Sequence, residues 1–197
     1  MSNPKLRARK QELVRNAIWD AAIDLFAEKG FDETTVDDIA DAAGVSQRTF
    51  FRYFESKADL MGKGTADFAA VISQAIDACP RGYAHREVMR AAVLQVARQA
   101  AAYPRLEKII QIAARYPAAR QAQASRIPEV QGQIVQAYAR RMKHPKKDDA
   151  TPKILAAMTT SLFDVVLQTW LDSGREDMEK TVGEVFRITR HVVGRPA

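Results

Sequence analysis

The stretch TTVDDIADAAGVSQRTFFRYFESKADL, Thr34 to Leu60, decides how the chain is read. It divides into two short helical patterns around a glycine. Thr34 or Thr35 can cap the first, because a threonine hydroxyl accepts from the free N–H groups of a first turn. Asp37 and Asp38 follow, placing negative charge at the positive end of the helix dipole. Val36, Ile39, Ala40 and Ala43 recur at helical spacing and give this helix one apolar side. Gly44 can end it, since glycine enters the left-handed conformation without steric cost. Val45 can then turn inward, and Ser46 can cap the next helix. Two capped helices around so tight a turn follow helix-turn-helix grammar.

The second helix has two distinct faces. At about 100° per residue, Phe50 and Phe54 share an inward side, and Arg48 and Arg52 lie opposite. Gln47 and Phe51 take one flank, Thr49 and Tyr53 the other. Arginine can bridge guanine O6 and N7, and glutamine can bridge adenine N6 and N7, from a helix lying in a major groove. A plain amphipathic helix with solvated arginines would show the same charged face. The caps on both helices and the Gly44–Ser46 turn favour DNA recognition over that alternative.

GVSQRTFFRYFESKADL, preceded by TTVDDIADAA, resembles the N-terminal DNA-binding domain of the TetR family of bacterial transcriptional regulators. The likeness is specific from about Arg9 to Leu60, and the RTFFRYFESKADL wording is similar to the actinobacterial branch that includes the mycofactocin-system regulators. The resemblance implies an all-α homodimer of about nine helices. A three-helix helix-turn-helix head (1–56) would precede a helical ligand-binding and dimerisation body (57–197). It also implies that Gln47, Arg48 and Thr49 read bases, and that Thr34, Thr35, Phe51, Tyr53 and Lys57 lie along the DNA backbone. Ser46 and Arg52 complete that set. Many members carry tyrosine where this chain has Phe51; phenylalanine cannot donate to a phosphate, so it would meet a thymine methyl or a sugar.

A chain of 197 residues (22.0 kDa) has room for one large domain or two small ones. No run of about eighteen apolar residues is evident, so neither a membrane-spanning helix nor a membrane partner is expected. The opening MSNPKLRARKQEL lacks the apolar stretch of a secretory signal, and a lone Cys79 fits a reducing compartment. A cytoplasmic location is therefore expected. The net charge of +6 is a poor guide to DNA binding, because residues 1–57 hold nine Lys/Arg against ten Asp/Glu. Placement matters more: Lys5, Arg7, Arg9 and Lys10 form a basic start, which reads equally as a minor-groove arm or as a solvated terminus.

Helix one is expected from about Arg9 to Lys29, burying Val14, Ala17, Ile18, Ala21, Leu25 and Phe26, with Gly30 as its stop. Ser56 caps a fourth helix over Lys57 to about Ala78. Gly62 and Gly64 near its start mark either a place to bend or a close packing contact. Further helices are expected over His85–Tyr103, from Pro104, from Pro128 to Met142, over Lys153–Asp172 and over Met178–Val193, with a polar loop at His144–Pro152. The last two carry wide apolar faces, as a dimer-forming pair does.

The body is harder to read. Phe68, Ile72, Ile76, Met89, Val93, Ile112, Tyr138, Phe163 and Trp170 are candidate ligand walls, although a helical body needs such residues for its core anyway. Arg115, beside Tyr116, could pair with an anionic group. Relatives in the similar branch respond to acyl-coenzyme A thioesters, so an amphipathic anion is the effector that the resemblance implies. Nothing supports catalysis, a metal or a cofactor: His85, His144 and His191 are far apart, and neither a glycine-rich phosphate loop nor GxSxG occurs. The expected function is a repressor released from its operator by a small molecule. Alternatives are an activator or corepressor-dependent regulator, or a lipid or acyl-coenzyme A carrier with a vestigial head.

Overall fold

Thr35 and Ser46 open the two short helices on which the candidate site depends. The Thr35 hydroxyl accepts from the Asp38 amide at 3.1 Å while the Asp38 carboxylate accepts from the Thr35 amide at 2.9 Å, a reciprocal capping box. The Thr35 amide, then its hydroxyl, then the Lys29 ammonium lower the Asp38 carboxyl to about 2. Gly44, at φ +65°, takes the chain through the turn. The Ser46 hydroxyl then accepts from the Thr49 amide at 3.2 Å. Phe50 is fully buried and Phe54, which ends the second helix, is nearly so.

The computed structural model describes residues 4–142 and 149–192. Among them are ten helices and no strand: α1 (Pro4–Glu28), α2 (Val36–Ala42), α3 (Gln47–Tyr53), α4 (Lys57–Ala78), α5 (His85–Ala101), α6 (Leu106–Arg115), α7 (Pro117–Ala124), α8 (Ile127–Arg141), α9 (Thr151–Asp172) and α10 (Met178–Val192). The all-helical class agrees with the sequence reading. Only Tyr116 separates α6 from α7, so counting that pair once gives nine.

Three local expectations change. α1 starts at Pro4, so the basic residues at 5–10 ride on helical turns and form neither an extended arm nor a coil. Proline suits that first position because its missing N–H would have no helical partner there. Pro104 lies in a turn and α6 starts at Leu106. Residues 144–148 of the expected polar loop lie outside the described residues, while Thr151 and Pro152 already belong to α9.

The chain forms two compact units, Met1–Thr65 with Pro104–Ile127, and Ala66–Tyr103 with Pro128–Ala197. A division at residue 56 does not coincide with them, since the start of α4 and all of α6 and α7 pack with the head.

In the first unit α1 buries Ile18, Trp19, Ala22, Ile23 and Phe26, whereas Ala17 is exposed. The expected stripe was centred too far round because α1 packs against both α2 and α6 and so buries two sides. Arg105, at the start of α6, grips Asp24 at 2.8 Å and Asp20 at 3.3 Å, and Lys108 reaches Asp24 at 2.5 Å. The Arg105 hydrogen bond leads the causes that lower the Asp24 carboxyl to about 2. Tyr116 lies against Phe31, ring centroids 6.2 Å apart, and a Cβ at Gly30 would come within 2.6 Å of its hydroxyl. Gly62 and Gly64 serve close packing. A Cβ would meet the Arg126 side chain at 2.7 Å and the Trp19 ring at 3.2 Å respectively, and α4 runs unbroken through both.

In the second unit α5, α9 and α10 pack together through Val88, Ala92, Val93 and Val96, Val166 and Trp170, and Val182 and Phe186. Tyr138 and Thr159 share a buried hydrogen bond of 2.8 Å, and burial pushes the Tyr138 hydroxyl up to about 12, so it stays protonated. Arg140 pairs with Asp77 at 2.7 Å, fastening α8 to α4.

One lysine closes the first unit. The Lys57 ammonium donates to the carbonyls of Phe31 and Asp32, both at 2.8 Å, and of Thr34 at 3.1 Å. Its three donors thus meet three acceptors, while it also lies 5.0 Å from the centre of the Phe31 ring. Lys57→Met keeps the apolar stem and strands the carbonyls. A charge-assisted hydrogen bond is worth roughly 1.5–3 kcal/mol, so we expect a loss of about that size in chemical denaturation. Amide exchange should also quicken across residues 31–53. An unchanged denaturation midpoint would contradict the role assigned to Lys57.

Candidate nucleic-acid interface

The buried side of α3 dictates its outer one. With Phe50 and Phe54 turned inward, Gln47, Arg48, Phe51 and Arg52 are exposed and Thr49 and Tyr53 are half-buried. Phe51 is 54% exposed and lies edge-on to Phe50, with ring centroids 5.3 Å apart. The Arg52 guanidinium stacks 5.0 Å from the centre of the Tyr53 ring and donates to its hydroxyl at 3.5 Å. Stacking of this kind pre-orders an arginine without neutralising it. The surface therefore offers two guanidinium groups, an amide, a phenol and an apolar ring, a mixture suited to phosphates, base edges and a thymine methyl.

The residues grouped as DNA-binding by sequence divide into three sets. Gln47, Arg48, Phe51, Arg52 and Tyr53 present side chains at the surface. Thr35, Ser46 and Thr49 are partly committed to helix starts, with Ser46 also donating to the Thr49 hydroxyl at 3.1 Å. Thr34 and Lys57 point inward. The Thr34 hydroxyl donates to the Gly30 carbonyl at 2.7 Å in a residue only 1% exposed, and Lys57 is spent on the three carbonyls described above. Both side chains hold the loop between α1 and α2. Sequence reading also missed Arg15, whose guanidinium lies 5.8 Å from the centre of the Phe54 ring and links α1 to the end of α3.

The candidate ligand walls divide between the two units. Ile112 and Arg115 belong to the first unit, where Arg115 is exposed and stacks 5.5 Å from the Tyr116 ring centre. Phe68, Ile72, Met89, Val93, Tyr138, Phe163 and Trp170 belong to the second. There they mostly do core work: Phe68 packs edge-on to Phe163 at 5.5 Å, and the Trp170 indole donates to the Glu176 carbonyl at 2.7 Å. None of the candidates, Ile76 included, lines the open groove of about 490 Å³ between α4 and α5, whose walls include Val71, Gln74, Cys79, Tyr83, Gln95 and Gln99.

Among the described residues no three His, Cys, Asp or Glu side chains gather as a metal site. His144 and the His191 side chain lie outside them. One helix, Thr151–Asp172, is long and apolar enough by length and composition to cross a membrane, an 18-residue stretch of it having a mean hydropathy of 1.4. Its inner side packs against α5 and α10, as a core helix does.

Residues 18–62 match the family described as bacterial regulatory proteins, tetR family. The HTH-type transcriptional regulator TcmR of Streptomyces glaucescens is 26% identical over 188 residues, covering 90% of this chain and 82% of that protein. The Mycobacterium tuberculosis protein named for mycofactocin biosynthesis regulation, MftR, is 37% identical over 86 residues, 44% of this chain and 43% of its own length. In fold, the fatty acid degradation regulator FadR of Bacillus halodurans aligns over 95% of both chains with a TM-score of 0.60 at 19% identity. Capped helices and an exposed arginine face agree with the matched segment: residues 18–62 carry a helix-turn-helix domain of the kind found in the tetR family of bacterial regulatory proteins.

Proposed function

We propose that the protein is a cytoplasmic homodimeric repressor that occupies a specific duplex and leaves it when a small amphipathic molecule binds the body. The observation that carries the DNA half is the outward face of α3, where Arg48 and Arg52 stand opposite the buried Phe50 and Phe54. Gln47, Arg48 and Thr49, at the helix start, are the proposed base readers. Phe51 and Tyr53 would lie towards sugars and phosphates. Repression needs nothing beyond occupancy of the DNA, which makes it the simplest sign of regulation.

Dimerisation through α9 and α10 is supported by their outer sides. Ile154 and Val165 on α9 are 55% and 50% exposed, Ile188 on α10 is 47% exposed, and Ala157 and Ser161 continue the α9 face at helical spacing. Pairing has a purpose, since two recognition helices about 34–36 Å apart would read successive major grooves.

For the effector, the groove between α4 and α5 has the size of a small-molecule site and a mainly apolar wall carrying three glutamine amides. A fatty acyl group with a polar or anionic head fits that mixture. The name of the FadR relative points the same way. Release then follows from linkage: a ligand that prefers the conformation less suited to the operator lowers operator affinity by the same factor.

Two measurements test this reading. Arg48→Ala should cost about 1–3 kcal/mol of operator affinity and relax the preference at one base position; undiminished affinity and preference would refute the groove assignment. A native mass spectrum of the purified protein should show twice the chain mass, with additional mass where an effector has co-purified. A monomer would contradict the proposed pairing.

A further inference from the structure

The helical start of α1 puts its cations on two opposite sides. Arg7, Lys10, Gln11 and Val14 follow the i, i+3, i+4, i+7 spacing of a single face, whereas Lys5 and Arg9 fall on the other. The first face, together with Arg52 and Tyr53 at the end of α3, encloses an open cleft of about 250 Å³. Two guanidinium groups, an ammonium, an amide and a phenol line it, and no carboxylate does. Arg52 is held there by its stack on Tyr53, and Arg15, further along α1, ties that helix to Phe54. Like charges converging on a concave surface repel one another, and an anion in the middle relieves that repulsion.

We propose that this cleft seats a phosphate of the DNA backbone, so that α1 and α3 grip the strand bordering the groove that α3 enters. The inference rests on the reading of α3 as the recognition helix and extends it to residues that lie outside the helix-turn-helix. Arg52 and Tyr53 belong to both surfaces, so the cleft continues the proposed interface. A phosphate seat of this kind sets register and orientation and carries no sequence information itself.

The test measures binding of the full-length protein to a mixed-sequence 30-base-pair duplex as a function of salt. Each phosphate contact contributes close to one to the slope of log affinity against log salt. Arg7→Ala with Lys10→Ala should lower that slope by about 1 per bound protomer. Lys5→Ala with Arg9→Ala, which removes the same charge from the other face, should leave it within error of wild type. All four residues are exposed, so both double variants should keep the wild-type melting temperature. Equal losses in the two variants would reduce the effect to overall charge and overturn the seat, as would an unaltered slope in the first. A wild-type protein with no salt-dependent duplex binding would instead bring down the DNA-binding reading itself, and the seat with it.

Discussion

The ammonium of Lys57 is the contact on which the DNA-binding unit hangs. The chain leaves α1 at Gly30, crosses a short loop and enters α2, so three carbonyls between residues 31 and 34 point away from any helix. A lysine at the first position of α4 satisfies all of them. That single clasp joins the end of α1 to the beginning of α4, and α2 and α3 lie between these two in the chain. The Thr34 hydroxyl closes the same loop from within by donating to Gly30. With both ends fixed, the Thr35 capping box and the Ser46 cap set where each short helix begins. The seven-residue α3 needs this support, because a helix of two turns is not stable alone.

A second consequence concerns what counts as the head. Arg105 and Lys108 fasten α6 to Asp20 and Asp24 of α1, Tyr116 fills the space that Gly30 leaves open, and Arg126 pairs with Asp59 and packs over Gly62. Segments forty or more residues further along the chain are therefore built into the same compact unit as α3. A regulator assembled in this way has charged and aromatic contacts within its DNA-binding unit that a shift of α6 or α7 would disturb.

Much of this was legible in the sequence where the physics is local. Caps, the Gly44 turn and the Phe50/Phe54 anchor depend on neighbours a few residues apart, and the pattern records them directly. The long α1 was misjudged because two partners, α2 and α6, bury two of its sides, which a single-stripe rule does not anticipate. Thr34 and Lys57 are ambiguous in the sequence for a chemical reason. The donors that would suit a phosphate also suit a carbonyl, and only the path of the chain decides between them. The body is the least legible part: Met89, Val93 and Tyr138 are core residues by every local criterion, while the groove between α4 and α5 is walled largely by alanines and glutamines that attract no notice in the sequence.

The central claim is that two copies of α3, held by one dimer, read sequence in successive major grooves. Selection from a pool of random-sequence duplexes tests this most directly. The purified protein is mixed with the pool, and the bound DNA is recovered and sequenced over several rounds. The account predicts enrichment of an inverted repeat whose half-site centres are separated by about 10 base pairs or a multiple of it. A pool that stays unenriched, or one that yields only an isolated half-site, would contradict it.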